Sequence, residues 1–210
     1  MWFRRRSSIP KNPNNQTPRG VITKTAPREA PIPQNQTSNG VEDPGLPAEG
    51  RPERTMWAWA VGTLAGVGFW RPGSGTWASA ITAGAWSAFA HFFIPVRYQW
   101  FACTVLVCVV LIVGIPAAGI VARECEVEDP SHVVIDEVAG QLIALLAVPL
   151  RWQSVILSFI LFRVFDIVKP PPLRRLETIE GGAGIVLDDV GAGLYALAIV
   201  QALVYWHVLG

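Results

Sequence analysis

The sequence predicts an all-α membrane protein: a bundle of about five membrane helices and an interfacial N-terminal helix, preceded by a disordered tail. Of its 210 residues, 51% are hydrophobic and only 16% are charged, a balance typical of membrane-embedded chains. The composition changes near residue 55, where a stretch rich in Pro, Asn, Thr and charge gives way to one dominated by Ala, Val, Leu, Ile, Trp and Phe. Several of the apolar runs that follow reach the ~20 residues that a membrane helix needs.

The N-terminal part, residues 1–54, is expected to be disordered because it has too little apolar surface to offset the entropy lost on ordering. It carries nine of the 17 Lys and Arg residues, so the net charge of +1 says nothing about partners. No nucleic-acid partner is expected. The triplet Arg4, Arg5 and Arg6 fits either contact with anionic lipid headgroups or a solvated basic end. The membrane-embedded domain is predicted over residues 55–210.

The first apolar stretch, Met56 to Trp70, has 15 residues and three tryptophans. It is too short to cross a hydrocarbon core that needs about 20 helical residues. We therefore predict an interfacial helix, since tryptophans are enriched at the level of the headgroups. Longer segments predicted to cross follow at 77–94, 100–121, 131–149, 153–169 and 187–208.

Counting the predicted crossings places the loops 71–76, 122–136 and 170–188 on the same side of the membrane. This side carries more Lys and Arg residues than the opposite side, which has Arg97 and Arg151. Cytoplasmic loops of membrane proteins have an excess of these residues. The three loops and the tail are therefore predicted to be cytoplasmic.

Acidic residues are concentrated in these loops and at the adjoining helix ends. Ionisable groups at such edges usually face a wet cavity, a partner charge or a metal, and crowded carboxylates need cations nearby to stay ionised. Oxygen ligands at an open site suit Mg²⁺, and Mg²⁺ beside basic residues suits phosphoryl transfer. The acids are Asp129, Asp136, Glu137, Asp166, Asp188 and Asp189, accompanied by Arg163, Lys169 and Arg174.

The Gly-rich segment 71–76 is a weaker indication of phosphate binding. Glycine allows close backbone approach to an anion, and Thr76 and Ser79 add hydroxyl groups near a helix start, where free N–H groups point. A plain helix entry is about as good an interpretation. His132 is interpreted as a helix-start or interface residue and Cys125 as non-catalytic, because the motifs that would activate either are missing.

The chain resembles bacterial phosphatidylglycerophosphatase A in three strings: DPSHVVIDEVAGQ (129–141), FRVFDIVKPPPLR (162–174) and GGAGIVLDDVGAGLYA (181–196). The resemblance runs from about Gly66 to the C-terminus. It implies an all-helical protein of the bacterial cytoplasmic membrane and a magnesium-dependent lipid phosphatase. The implied reaction removes the terminal phosphate of phosphatidylglycerophosphate to leave phosphatidylglycerol, so the expected partners are this lipid and the surrounding membrane lipids.

The resemblance points to individual residues, and the preferred mechanism assigns them roles. The expected metal ligands are Asp129, Asp136, Asp188 and Asp189; the expected catalytic residues are Glu137, Asp166, Arg163 and Lys169; the expected phosphate contacts are Arg163, Lys169, Arg174, Gly75, Thr76 and Ser79. Glu137 or Asp166 would act as the base or orient the water. The chain departs from the family's PGTxGS string, with Ser74 in place of Pro and Ala78 in place of Gly, which weakens the expected contribution of this loop.

The preferred hypothesis is therefore hydrolysis of a lipid phosphate by in-line attack of a metal-activated water at the cytoplasmic face. Two alternatives stay open. Intramembrane carboxylates also fit a small non-catalytic membrane protein that binds or transports a cation. The altered glycine loop also fits a degenerate homologue that keeps the fold and has lost rate. The concentration of acids at one face, instead of at mid-depth, favours the enzyme.

Overall fold

The computed structural model describes residues 54–176 and 178–206, and within these residues every regular element is helical. The predicted all-α class is confirmed. The predicted tail lies outside the described residues, except for Arg54. Short 3-10 helices occur at Val67–Phe69 and Leu173–Arg175. The α-helices are α1 (Met56–Gly62), α2 (Ser74–Phe93), α3 (Val96–Cys125), α4 (Ile135–Ala144), α5 (Trp152–Val168) and α6 (Gly182–Tyr205).

Helix α4 lies at the centre of the bundle, where it contacts α2, α3, α5 and α6. Its residues from Val138 to Ala144 are all buried. It comes very close to α6: a Cβ atom added to Gly193 would overlap the carbonyl group of Gly140. In lipid, where no hydrophobic effect draws helices together, such small residues allow the backbone packing that holds them. This contact sets the acids of α4 beside those of α6.

The predicted crossing at 131–149 is wrong in its extent. Helix α4 has 10 residues and is therefore about 15 Å long, half of a hydrocarbon core of about 30 Å. It starts late because the chain before it is held by α1, where the N–H of Val134 donates to the carbonyl of Gly62 at 2.8 Å. It ends early in a turn in which Ala147 has a φ of 55°. Non-helical backbone at membrane depth must be covered by protein, and Leu145 and Val148 beyond the helix are buried.

The predicted start of the last helix near residue 187 is also corrected. Helix α6 begins at Gly182 because its first turn packs on α3, where a Cβ atom on Gly182 would overlap the carbonyl of Ile115 and crowd Gly119. Asp188 and Asp189 therefore lie about two turns inside the helix instead of at its entry.

Two of the described helices, α3 and α6, are long and apolar enough to cross a membrane. Helix α3 also exposes large apolar side chains, among them Phe101, Val109 and Ile112, and soluble proteins rarely expose a continuous surface of this kind. Both observations indicate membrane association. The predicted crossings at 77–94 and 153–169 stay predictions.

Candidate active site

A cavity of about 1020 Å³ opens at one end of the bundle. Its walls come from the end of α3, the segment before α4, the start of α4, the end of α5 and the first half of α6 with the segment before it. The loops 122–136 and 170–188, predicted to share a face, thus line one cavity. The carboxylates on its walls are Asp129, Asp136, Glu137, Asp166, Asp188 and Asp189, together with Glu126, Glu128 and Glu180.

Within the described residues, one group of three carboxylates is close enough to share a metal ion. One oxygen each from Asp136, Glu137 and Asp189 lies within 4.8 Å of the others. Asp136 Oδ1 and Glu137 Oε2 are buried and accept no hydrogen bond, which is costly for a carboxylate. Such a set of hard oxygen donors fits Mg²⁺.

Contacts between carboxyl groups support the same fit. The carboxyl groups of Asp136 and Glu137 lie close enough to interact with each other, and so do those of Asp166 and Asp189. Two ionised carboxylates repel each other at this distance unless a proton or a cation lies between them. The residues therefore have the arrangement of a cation site, with Glu137 grouped among the candidate ligands.

Lys169 lies at the end of α5 and reaches across to α6, where its Nζ atom is 2.6 Å from Asp188 Oδ2. The backbone of Lys169 has a φ of 45° and ends the helix. The other carboxylate oxygen, Asp188 Oδ1, is buried and accepts no hydrogen bond. Asp188 therefore has one oxygen engaged by an ammonium group and one that a further ligand can use.

Arg163 lies one turn before Asp166 on α5, and its Nη1 atom is 2.7 Å from Asp166 Oδ2. This close pair lacks hydrogen-bond geometry, since Nε and Nη1 of Arg163 are both buried without an acceptor. The first turn of α2 lies against both Glu137 and Arg163: a Cβ atom on Gly75 would overlap Glu137 Oε1 and lie 3.2 Å from Arg163 Nη1. Arg163 is thus held beside the acids and paired with Asp166, although it is not among the residues that line the cavity.

The other residues of the Gly-rich segment lie further from the chemistry. The hydroxyl of Ser79 donates to the carbonyl of Gly75 at 2.8 Å, within α2. The side chain of Thr76 is exposed and does not line the cavity. Ser74 donates to the carbonyl of Ser131 at 3.1 Å and so ties the start of α2 to the segment before α4. The segment is a helix entry that packs on the site.

Two predicted site residues lie at the edge of the cavity. Asp129 lines it and is exposed, outside the group of three carboxylates. Arg174 is exposed, and its Nε atom donates to the carbonyl of Lys169 at 3.1 Å. This hydrogen bond holds the turn after α5 and leaves Arg174 off the cavity wall.

The segment that carries Asp129 is held by an aromatic stack that the sequence did not indicate. The ring of His132 stacks on those of Trp59 and Phe69, with centroid distances of 5.1 and 5.3 Å and interplanar angles of 11° and 10°, and the centroids of Trp59 and Phe69 are themselves 6.4 Å apart. The backbone also packs closely, because a Cβ atom on Gly68 would overlap the carbonyl of His132. Burial, and to a lesser degree the charge of the nearby Arg54, lowers the pKa of His132. His132 is therefore a packing residue of the segment before α4.

A family model described as phosphatidylglycerophosphatase A matches residues 60–204. A relative from Bacteroides thetaiotaomicron, named as a candidate phosphatidylinositol-3-phosphatase, is 40% identical over 151 residues, which cover 70% of this chain and 93% of the relative. Phosphatidylglycerophosphatase A of Escherichia coli is 30% identical over 131 residues, 61% of this chain and 76% of its own length. Phosphatidylglycerophosphatase A of Haemophilus influenzae is 48% identical over 82 residues, which cover 38% of this chain and 50% of the relative. No solved structure is significantly similar.

The family match spans every carboxylate of the cavity and both basic residues beside them. It therefore confirms the resemblance that the three strings indicated. The chain belongs to the phosphatidylglycerophosphatase A family of lipid phosphatases.

Proposed function

We propose that the protein hydrolyses phosphatidylglycerophosphate to phosphatidylglycerol and inorganic phosphate. The observation that carries the proposal is the convergence of Asp136, Glu137 and Asp189 at the cavity, with Lys169 and Arg163 beside them. Carboxylates for a cation next to basic residues for a phosphate are the parts that phosphoryl transfer needs. The names of the Escherichia coli and Haemophilus influenzae relatives support this substrate.

The proposed cofactor is Mg²⁺. Asp136, Glu137 and Asp189 would hold it, and Asp188 and Asp129 lie on the same cavity as further candidate ligands. When bound, Mg²⁺ supplies positive charge for the phosphate oxygens and lowers the pKa of water. This assignment moves Glu137 from the role of base to that of ligand.

The remaining residues bind the substrate and handle the proton. Arg163 has buried N–H groups without acceptors, which donate to the oxygens of the terminal phosphate. Lys169, at the end of the same helix, adds a second positive charge and is positioned by Asp188. Asp166 lines the cavity next to Arg163 and takes the proton of the attacking water.

We propose that the protein crosses the membrane several times with this cavity on the cytoplasmic side. Arg123 and Lys169 line the cavity. At the opposite end of the same helices, Arg97 lies in the first turn of α3 and Arg151 precedes α5. The excess of basic residues at the cavity end is typical of cytoplasmic segments. Glu128→Cys, at an exposed position on the cavity wall, should react with an impermeant thiol reagent only from the cytoplasmic side. Labelling from the outer side would reverse the orientation.

Phosphatidylinositol 3-phosphate is a second candidate substrate. The Bacteroides thetaiotaomicron relative, named for that activity, is aligned over 93% of its length. Both lipids present a phosphate monoester at the membrane surface. The cavity volume of about 1020 Å³ is large enough for either headgroup, since pockets for whole small ligands are typically about 300–1,000 Å³.

The test is phosphate release by the purified, detergent-solubilised protein from both lipids, with Mg²⁺ and with EDTA. Release that needs Mg²⁺ is expected, and Asp136→Asn should lower it by at least about 100-fold, because each ligand of a catalytic ion is needed. Glu128→Gln is the matched control, since it removes one carboxylate from the same cavity outside the group of three and should not lower release. Release that is unaffected by EDTA would contradict the proposed role of Mg²⁺. A folded protein that is inactive on both lipids would contradict the proposed reaction.

A further inference from the structure

The cavity has a second wall besides the one that carries the group of three carboxylates. It is formed by the end of α3 and by the segments 126–129 and 178–181. A volume of about 1020 Å³ exceeds what one phosphate group occupies and reaches the upper end of the range for whole ligands, about 1,000 Å³. The part of a substrate beyond its reacting phosphate therefore has room along this wall.

Arg123 is the basic residue of this wall. It lies in the last turn of α3, is exposed and lines the cavity. In the part of the chain that the structure describes, no carboxylate lies within 4.0 Å of its guanidinium group, whereas Lys169 and Arg163 each contact one. A guanidinium group binds phosphate through two parallel N–H donors. Arg123 is thus placed to bind an anion other than the one bound by Lys169 and Arg163.

The two candidate substrates share the chemistry that this wall would recognise. In phosphatidylglycerophosphate, the phosphodiester and the phosphate monoester are on the outer carbons of a glycerol. In phosphatidylinositol 3-phosphate they are on two ring carbons that are likewise separated by one carbon bearing a hydroxyl. Both headgroups therefore hold a second anion at a short, fixed number of bonds from the reacting phosphate.

We infer that Arg123 binds the phosphodiester of the lipid headgroup while the monoester lies at Arg163 and Lys169. The inference rests on the proposed function and names a binding residue that it does not use. The site then selects lipids by the spacing of two phosphates. Phosphate monoesters without a phosphodiester lose the Arg123 contact.

The carboxylates on this wall make the contribution of Arg123 larger. Glu126, Glu128 and Glu180 line the same cavity and repel a phosphodiester anion. Of the basic residues that line the cavity in the described ranges, Lys169 is paired with Asp188, which leaves Arg123 to offset this repulsion. Its removal leaves an acidic wall next to the phosphodiester.

The experiment compares Arg123→Gln and Arg123→Lys with Arg175→Gln. Arg175 is exposed and lies between α5 and α6, outside the cavity wall, so it controls for general attraction of anions. Two quantities are measured: kcat and KM for phosphatidylglycerophosphate, and the Kd for a short-chain phosphatidylglycerol in detergent. Phosphatidylglycerol keeps the phosphodiester and lacks the monoester, so its binding needs no turnover.

Arg123→Gln should raise KM and the phosphatidylglycerol Kd about tenfold, as expected for a lost charge-assisted hydrogen bond, and change kcat by less than about twofold. Arg123→Lys should recover part of both values, and Arg175→Gln should change neither. If Arg123→Gln does not fold, Arg123→Lys decides alone, with an expected rise of about threefold because lysine cannot donate bidentately.

Unchanged KM and Kd in the Arg123 variants would overturn the inference. An equal rise in Arg175→Gln would overturn it too, since it would show general attraction of anions by this end of the protein. A lower kcat with constant KM would also count against it, because it would point to a structural or catalytic role. A wild-type protein that binds phosphatidylglycerol through Arg123 and yet releases no phosphate would contradict the proposed reaction alone.

Discussion

The backbone of Gly75 lies directly against the carboxylate of Glu137. A Cβ atom on Gly75 would overlap Glu137 Oε1, and it would also lie 3.2 Å from Arg163 Nη1. The first turn of α2 is therefore part of the site through its backbone, although the side chains of Thr76 and Ser79 do not line the cavity. Glycine at this position is needed for room beside a candidate metal ligand.

Gly75→Ala should therefore abolish most of the activity while the bundle stays folded. The added methyl group must displace Glu137 or Arg163, and a shift of about 1 Å in a reacting group can cost about 100-fold in rate. Phosphate release and the detergent melting temperature are measured together. Gly84→Ala is the control, because a Cβ atom on Gly84, in the same helix, meets nothing within 4 Å. Full activity of Gly75→Ala would show that Glu137 does not need its present position.

Gly193→Ala should act on stability instead. Its methyl group would overlap the carbonyl of Gly140, and overpacking of a tight contact typically costs about 1–3 kcal/mol. The carbonyl belongs to the backbone of α4 and cannot swing aside, so α4 and α6 must separate. The melting temperature of Gly193→Ala should be clearly lower than that of the wild-type protein, whereas the melting temperature of Gly84→Ala should change little. Equal melting temperatures would mean that the two helices do not pack as closely as the structure places them.

The meeting of the motif loops could be predicted from the sequence, because charged groups at the ends of apolar runs avoid lipid by facing a common wet cavity. The length of α4 could not. The residues 145–150 are as apolar as the helix before them, so the pattern continues where the helix stops. The stop depends on the turn at Ala147, for which the local sequence gives no signal before Pro149.

The grouping of the acids could not be predicted from the sequence either. Which carboxylates converge depends on the face of α4 that meets α6, and that face is set by the backbone contact between Gly140 and Gly193. The spacing of seven residues between Asp129 and Asp136 would place both acids on one face of a continuous helix, but Asp129 precedes α4 and lies outside the group of three. Nothing in the local sequence marks Arg123 as a residue that lines a cavity.

His132 provides a test of how the segment before α4 is held in place. Its ring stacks on those of Trp59 and Phe69, and stacked aromatic contacts are each worth about 0.5–1.5 kcal/mol beyond buried area. His132→Ala should lower the melting temperature and also the activity, because the segment leads to Asp136. His132→Phe keeps a flat ring in the stack and should retain most of both. A nucleophilic histidine predicts the opposite for His132→Phe, a folded protein without activity.

Comparison of the wild-type protein with His132→Phe also tests how stability depends on pH. Burial lowers the pKa of His132, so the unfolded chain takes up a proton at a higher pH than the folded one does. Stability contributed by the neutral ring is therefore complete above the ordinary pKa of histidine and is lost as the pH falls through that value toward the lowered one. Melting temperatures measured from neutral to mildly acidic pH should fall more steeply for the wild-type protein than for His132→Phe, in which nothing titrates at this position. Parallel curves would show that protonation of His132 does not disturb the stack, and that the ring is more open to water than its contacts with Trp59 and Phe69 indicate.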